Sequence, residues 1–341
     1  MAASVYFLQR FLTSLIVVVG VMVLTFVAAR VVPSDPARLY AGPRARPEQL
    51  ASVRTRFGLD LPLSEQFAAY VVAAGHGDWG DSFKTKRSVR QDLAIFLPAT
   101  LELVIAGFML ALTVGIPVGI WAGANPGGVG DRCSNMVSIL GAAAPVFALA
   151  LLVQSVFFNQ LHWLPLNGRQ DAGISLAHPV PPITGFLLVD AAAAADWYVW
   201  RDAARHLILP ALVVAVYPMC ILLRMTRNCV VEAMRAPHIT VAHAKGLSHR
   251  QIVVRHALPN AILPVLTIAG VTFAYAVTGT VLVELSFRWP GVGFYVADAI
   301  ASRDFPVIVA VTWIGTIIFV SVTLFLDLLR LWLDPRMRTF R

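Results

Sequence analysis

The stretch VAHAKGLSHRQIVVRHALPNAILPVLTIAGVTFAYAVTGTVLV, residues 241–283, joins two kinds of sequence that rarely meet in a soluble protein. Its second half, residues 261–283, is apolar over a length that can cross a hydrocarbon core, which takes roughly 20 helical residues. Its first half is basic, contains several histidines and is interrupted by glycine and proline. The stretch therefore predicts a membrane-spanning helix preceded by a structured polar segment at the membrane surface.

The composition of the whole chain also places it in a membrane. Of 341 residues, 58% are hydrophobic and 13% are charged, and the mean hydropathy is +0.72. A globular domain of this length ordinarily carries more charge. Six spans are predicted, the fourth being marginal because Pro210 and Pro218 interrupt it: 11–32, 99–122, 134–158, 207–223, 261–283 and 305–325. We expect an all-α membrane protein.

The distribution of positive charge predicts the orientation of the spans. Arginine and lysine are concentrated between spans four and five and in the tail after span six, whereas the loops after spans three and five balance the two signs. Because cytoplasmic loops carry the excess of basic residues, we expect both termini in the cytoplasm and the long first loop outside. The net charge of +8 then reflects topology and contact with anionic lipid rather than nucleic-acid binding.

The polar segment carries the boundary signals of two short helices. Pro237 suits the first position of a helix, and Gly246 suits the residue just past its end. Ser248 and Gln251 match a capping box that opens the second helix, with Leu247 placed to pack on the first apolar residue of that helix. Such defined boundaries favour a protein-binding element. A solvated loop that only orients the chain is the alternative.

The same segment contains a recognisable motif. The pattern EAA, three residues, glycine, nine residues and I-x-L-P aligns with Thr240, Val241, Ala242, Gly246, His256, Leu258 and Pro259, where threonine, valine and histidine replace glutamate, the first alanine and isoleucine. The variant A-x-A-K-G-L-S adds Ala244, Lys245, Leu247 and Ser248. Further motifs follow in order at 31–36, 54–63, 77–82, 98–103, 163–168, 279–293 and 333–336. Together they resemble the permease subunits of the dipeptide, oligopeptide and nickel branch of ABC importers.

This resemblance implies the type I ABC importer permease fold: six transmembrane helices, a long external first loop and a cytoplasmic coupling helix. It implies a first unit at 1–97, holding the first helix and external loop, and a five-helix core at 98–341 with its coupling loop at 228–260. The implied location is the bacterial cytoplasmic membrane. The implied partners are a second homologous permease, two cytoplasmic ATPases, an extracytoplasmic substrate-binding protein and membrane lipid.

Polar residues near the span ends are candidates for a transport path. They are Glu102 and Glu284 on the outer side, and Arg224 and Arg227 on the inner side. Anchoring of helix ends is the alternative for the glutamates, and snorkelling to the interface is the alternative for the arginines. In the external segment GDWGDSF, docking of a binding protein or formation of an outer lid is expected from Asp78, Trp79 and Phe83. Packing on the subunit's own helices is the alternative there.

The expected cargo is a dipeptide or oligopeptide, with nickel or another small solute as the alternative. ATP and magnesium are expected in the partner ATPases, because this sequence has no G-x-x-x-x-G-K-[ST] phosphate loop. An intramembrane enzyme is an alternative function of a different class. Since H-E-x-x-H and G-x-S-x-G are both missing from the sequence, we expect no catalytic residue, no metal site and no cofactor in this chain. A passive scaffold is the other alternative, but it would not need a polar segment that faces an ATPase.

Overall fold

The computed structural model describes residues 2–31, 36–42, 44–56 and 58–333, and all the regular elements in these ranges are helices. Five helical stretches are long and apolar enough to cross a membrane. They are α1 (Ala2–Val31), α5 (Val89–Ala124), α10 (Trp197–Met234), α13 (Leu258–Gly279) with the turns that lead into it, and α16 (Phe305–Leu333). The prediction of an all-α membrane protein is confirmed.

The remaining predicted span, 134–158, is not one continuous helix. It consists of α6 (Val129–Ala143) and α7 (Val146–Gln154), which continues into the π-helical turn Ser155–Gln160, and the two halves are bent by 104°. Ala144 and Pro145 between them are extended, each with ψ of 129°. A residue before proline is disfavoured in the helical region, and this explains the break. Counted as one span, the bent pair brings the total to six.

Short helices fill the connections. The first loop contains α2 (Pro36–Ala41), α3 (Pro47–Arg56) and α4 (Leu63–Gly75). The segment before α10 contains α8 (Ala172–Ala177) and α9 (Leu187–Ala193), and α14 (Val281–Ser286) and α15 (Val292–Ser302) lie between α13 and α16. The connection from α10 to α13 consists of α11 (Pro237–Ala244), α12 (His249–Ile252) and the π-helical turn Val253–Ala257.

The marginal fourth span is the centre of the longest helix. Pro210 and Pro218 both lie inside α10, and α5 likewise contains Pro98 and Pro117. Proline removes one backbone hydrogen bond, but it is tolerated in a membrane helix that neighbouring helices surround. α10 is well surrounded, because most of its apolar window is buried inside the chain.

A row of small residues lets α5 and α10 approach closely. Gly107, Ala111, Gly115, Gly119 and Gly123 recur every four residues on α5, so they share one face of the helix. A Cβ atom added at Gly119 would lie 2.7 Å from the carbonyl oxygen of Leu223 and 2.7 Å from Cβ of Thr226. Close packing of this kind is the usual way in which small residues join membrane helices. The α5–α10 pair is therefore the central packing unit of the bundle.

Candidate coupling site and outer side of the bundle

The segment between α10 and α13 forms two helices around a glycine bend. α11 begins at Pro237, and Gly246 follows its end with φ of +75°, a left-handed conformation that side chains disfavour. At the start of α12, Oε1 of Gln251 accepts hydrogen bonds from the backbone N–H and the hydroxyl of Ser248, both at 3.0 Å. The predicted bounds of α11 and the predicted start of α12 are confirmed, but the second helix is not short, because it continues through the π-helical turn into α13. We call residues 237–258 the coupling segment.

The coupling segment has an apolar core of its own. Ile239 and Ala242 of α11 are buried against Ile252 and Ala257, and Leu247 packs on the same cluster. Leu247 thus meets Ile252 as predicted. Burial of this cluster fixes α11 and α12 relative to each other and to the end of α10, so the segment is a folded unit with a defined surface.

The aligned motif residues divide between that core and the surface. Ala242 is buried, whereas Leu247, His256 and Leu258 are half-buried. The exposed members are Thr240, Val241, Ala244, Lys245, Gly246, Ser248 and Pro259. The small side chain of Ala242 allows α11 to pack against its own chain. Val241 is 56% exposed, although its side chain is apolar.

The two arginines at the inner end of span four differ in their surroundings. Arg227 forms a two-point ion pair with Asp131 at the start of α6, with Nε to Oδ1 at 2.9 Å and Nη2 to Oδ2 at 2.8 Å. Asp131 also accepts the backbone N–H of Gly127 at 2.9 Å. Arg227 therefore ties α10 to the turn between α5 and α6. Arg224 is exposed and has no hydrogen bond or ion pair within the described part of the chain.

Glu284 lies in a closed network at the predicted outer end of α5. Its side chain is fully buried, and its Oε1 accepts the hydroxyls of Thr100 at 2.7 Å and Thr280 at 3.2 Å. Its Oε2 accepts the backbone N–H of Phe294 at 2.9 Å, while Thr100 in turn accepts the N–H of Val292 at 2.7 Å. These contacts fasten α14 and the start of α15 to α5. In this structure Glu284 has no surface open to a substrate.

Glu102 is held by the segment that precedes α10. We call residues 161–196 the outer strap. Arg169 of the strap pairs with Oε2 of Glu102 and donates to the carbonyl of Gly185 at 3.0 Å. Oε1 of Glu102 accepts the backbone N–H of Leu188 at 2.9 Å. Glu102 is thus paired with an arginine of its own chain.

Asp190 organises the centre of the outer strap. Burial favours the protonated carboxyl group and is the largest single influence, but the hydrogen bonds together outweigh it. The hydroxyl and N–H of Thr184 and the N–H of Gly185 donate to Asp190 at 2.6–2.9 Å and lower the pKa of its carboxyl group below the ordinary value of 3.8. The ionised carboxylate is therefore part of the folded strap.

The GDWGDSF segment packs largely on this chain. Trp79 makes an edge contact with Trp313 of α16 at 5.8 Å between ring centroids, and Phe83 contacts Tyr40 at 5.8 Å. Asp78 is exposed and accepts the backbone N–H of Gly80 at 3.0 Å. The segment borders a cavity of about 640 Å³ between the first loop and the start of α16. Packing on the subunit's own helices accounts for both aromatic residues.

The sequence did not point to several partners in these networks. Asp131 pairs with an arginine 96 positions away, and Arg169 pairs with a glutamate 67 positions away, so nothing local in the sequence marks either contact. Thr100 and Trp289 do lie inside aligned motifs, but their contact partners come from distant helices. Within the described ranges, no group of three or more histidine, cysteine, aspartate or glutamate residues is placed to hold a metal.

The fold defines a class: a polytopic helical membrane protein with a folded helix pair between two of its spans. The chain belongs to the family described as the binding-protein-dependent transport system inner membrane component, whose pattern matches residues 115–339. The N-terminal component of the same transport systems matches residues 4–104. The protein is therefore a non-catalytic permease subunit of an ABC importer.

Relatives cover nearly the full chain. It is 40% identical over 328 residues to the probable D,D-dipeptide transport system permease protein DdpB of Escherichia coli K12, covering 96% of each chain. It is 37% identical over 320 residues to the di/tripeptide transport system permease protein DppB of Pseudomonas aeruginosa, covering 94% of each. It is 32% identical over 334 residues to the glutathione transport system permease protein GsiC of Salmonella paratyphi A, covering 98% of each.

Proposed function

We propose that this permease subunit carries dipeptides or short oligopeptides across the bacterial cytoplasmic membrane, with both termini in the cytoplasm. The names of its relatives support this cargo, because several are dipeptide or di/tripeptide permeases. A second homologous permease completes the path, an extracytoplasmic binding protein delivers the peptide, and two cytoplasmic ATPases, which bind ATP and magnesium, supply the energy. The division of the chain near residue 97 stays a prediction, and α5 runs through that position.

The observation that carries the coupling proposal is the folded coupling segment. Its buried cluster makes α11 and α12 move with the end of α10, because Ile239 and Ile252 pack beside it. Val241 and Lys245 lie on the exposed surface, where a groove of an ATPase can receive them. A rigid contact of this kind converts closure of the ATPases into movement of the membrane helices. Of the remaining aligned residues, Thr240 and Ala244 add to the exposed surface, Gly246 and Ser248 shape the bend and the start of α12, and Ala242 and Leu247 pack beneath the surface.

For the outer side, we propose that Glu102 and Glu284 set the shape of the outer mouth instead of binding cargo. Both carboxylates are buried and hold the strap and α14–α15 against α5. We propose that the binding protein contacts the exposed Asp78, with Trp79 and Phe83 supporting the segment from below. Asp78→Lys should weaken binding of the purified binding protein to the reconstituted complex, whereas Glu48→Lys, an exposed change elsewhere in the first loop, should not.

The cargo is tested by uptake into proteoliposomes that contain this chain, its partner permease and both ATPases. Radiolabelled di- to pentapeptides, glutathione and nickel are offered with the binding protein outside and ATP inside. We expect ATP-dependent accumulation of the peptides and none of nickel. Accumulation of nickel without any peptide would contradict the proposed cargo, and no accumulation of any solute would contradict the importer assignment.

A further inference from the structure

One face of α10 is unlike a surface that meets lipid. Between residues 209 and 229, the exposed side chains of this helix are those of Tyr217, Arg224 and Asn228, and all three are polar. At 100° per residue, these positions fall within about 40° of one another around the helix axis. They form a single polar stripe, which we call the α10 stripe.

A second helix of the same chain provides the contrast. Between Leu15 and Ala28, the exposed residues of α1 are apolar side chains and one glycine, as expected for a helix that lies in lipid. The α10 stripe has the opposite character. Tyr217 lies inside the predicted span 207–223, whereas Arg224 and Asn228 directly follow its inner end. A polar group within a membrane span is costly against lipid and ordinarily faces a water-filled space or another protein.

Tyr217 cannot be assigned to the aromatic belt at a membrane surface. It lies about 30 Å along the helix from Trp197 and about 25 Å from Met234, near the middle of α10. It is 49% exposed, and its hydroxyl has no hydrogen-bond partner within the described residues. A hydroxyl at that depth needs water or a polar partner, since leaving it unpaired in an apolar medium costs free energy.

A small cavity continues the stripe towards α13. It has a volume of about 180 Å³ and lies where α7, α10 and α13 meet, lined by Tyr217, Thr272, Tyr275 and Thr280 among apolar residues. Its lining contains no charged residue. The cavity therefore suits an uncharged side chain, whereas the positive charge of the stripe comes from Arg224, two helical turns further along α10.

Arg224 supplies a charge that the rest of the chain leaves available. Its neighbour Arg227, three residues on, is already committed to Asp131. The amide oxygen of Asn228 accepts Nη1 of Arg227 at 3.2 Å, so Asn228 lies beside that pair with its side chain exposed. A guanidinium group without an intramolecular partner complements a carboxylate, which it can bind through two parallel hydrogen bonds.

We propose that the α10 stripe is a wall of the transport path, that the cavity beside Tyr217 receives an uncharged side chain of the peptide, and that Arg224 binds the peptide's terminal carboxylate. This inference rests on the proposed peptide cargo. A peptide supplies both groups, a carboxylate for Arg224 and backbone amides for the hydroxyl of Tyr217. Arg224 and Tyr217 then contribute to the choice of cargo in addition to the binding protein.

The test compares uptake of one tripeptide with uptake of its C-terminal amide, in proteoliposomes containing the complete complex. Whatever preference the binding protein has is the same for each variant, so it cancels when the acid-to-amide ratio is compared between variants. Arg224→Gln should lower that ratio about tenfold, because one charge-assisted interaction is lost. Arg201→Gln, an exposed arginine at the other end of α10, should leave the ratio unchanged. Tyr217→Phe should slow both forms alike.

An unchanged ratio in Arg224→Gln would overturn the proposal. Failure of the wild-type complex to import the tripeptide would contradict the proposed function instead. If Arg224→Gln does not assemble, Tyr217→Cys is treated with a membrane-impermeant thiol reagent after Cys133, Cys220 and Cys229 have been replaced by alanine. Modification at position 217, with none at Leu24→Cys in α1, is the expected result. Protection of position 217 would refute the inference.

Discussion

Replacing Gly119 by alanine tests the α5–α10 contact that the bundle is built around. The added Cβ would lie 2.7 Å from both the carbonyl oxygen of Leu223 and Cβ of Thr226, and one of these atoms is backbone and cannot rotate away. The two helices must therefore separate locally. Overpacking of this kind costs about 1–3 kcal/mol. At about 1–2 °C per kcal/mol for a chain of this size, the melting temperature should fall by roughly 2–4 °C for a change near the middle of that range.

The control has the opposite expected sign. Gly20 of α1 and Gly315 of α16 are also helical, but a Cβ added at either would meet no atom within 4 Å. Alanine at these positions restricts the unfolded chain without a clash and should stabilise the protein by about 0.4–1 kcal/mol. Thermal unfolding of the purified variants in one detergent provides the comparison. We expect a lower melting temperature than the wild type for Gly119→Ala and a higher one for Gly20→Ala. Melting temperatures at or above that of the wild type in both variants would show that α5 and α10 do not approach this closely.

Three further predictions concern the buried polar groups. Glu284→Gln places an amide donor among groups that already donate to Glu284, so it should cost about 1–3 kcal/mol of unfolding free energy. Equal melting temperatures of variant and wild type would argue against this network. Arg227→Ala leaves the Asp131 carboxylate buried without its partner and should cost about 2 kcal/mol of unfolding free energy. The double variant with Asp131→Asn should recover a part of this loss. Single-variant changes in melting temperature that simply add in the double variant would contradict the pairing. The pKa of the Asp190 carboxyl group is lower in the folded state than its ordinary value of 3.8. The ionised carboxylate therefore stabilises the fold at pH values above 3.8, and this contribution is lost as the pH falls through the folded-state pKa. Limited proteolysis of the outer strap should therefore be faster in Asp190→Asn than in the wild type at pH 7, and the difference should shrink as the pH falls below 3.8; equal rates at pH 7 would count against this assignment.

Local signals predicted the coupling segment well. Pro237, Gly246, Ser248 and Gln251 each act within one helical turn, so their effect on helix boundaries could be inferred from neighbours in the sequence. The break in the third span was missed even though Pro145 was visible. A proline is either tolerated within a helix, as in α10, or breaks it, depending on the helices packed around it. The local sequence does not show which helices these are.

Roles of individual charged residues were the least predictable. Glu102, Glu284 and Arg227 all met partners within the chain, and each has at least one partner that is distant in sequence: Arg169, Thr100 and Asp131. Only the packing of several helices brings such groups together. Whether Arg224 lies on the exposed or the buried side of α10 could be decided only from the structure. Composition and periodicity therefore determine spans and surface helices, while the buried polar contacts require the three-dimensional arrangement.

The central claim is that this chain links ATP hydrolysis to transport through its coupling segment. The most direct measurement is the rate of ATP hydrolysis by the reconstituted complex when the binding protein is loaded with peptide, comparing Gly246→Val with Gly127→Val. Both glycines have positive φ, of 75° and 81°, and neither has an atom within 4 Å of an added Cβ, so the local strain is matched. Peptide-stimulated hydrolysis should be lost in Gly246→Val and retained in Gly127→Val. Full stimulation in Gly246→Val would contradict the account.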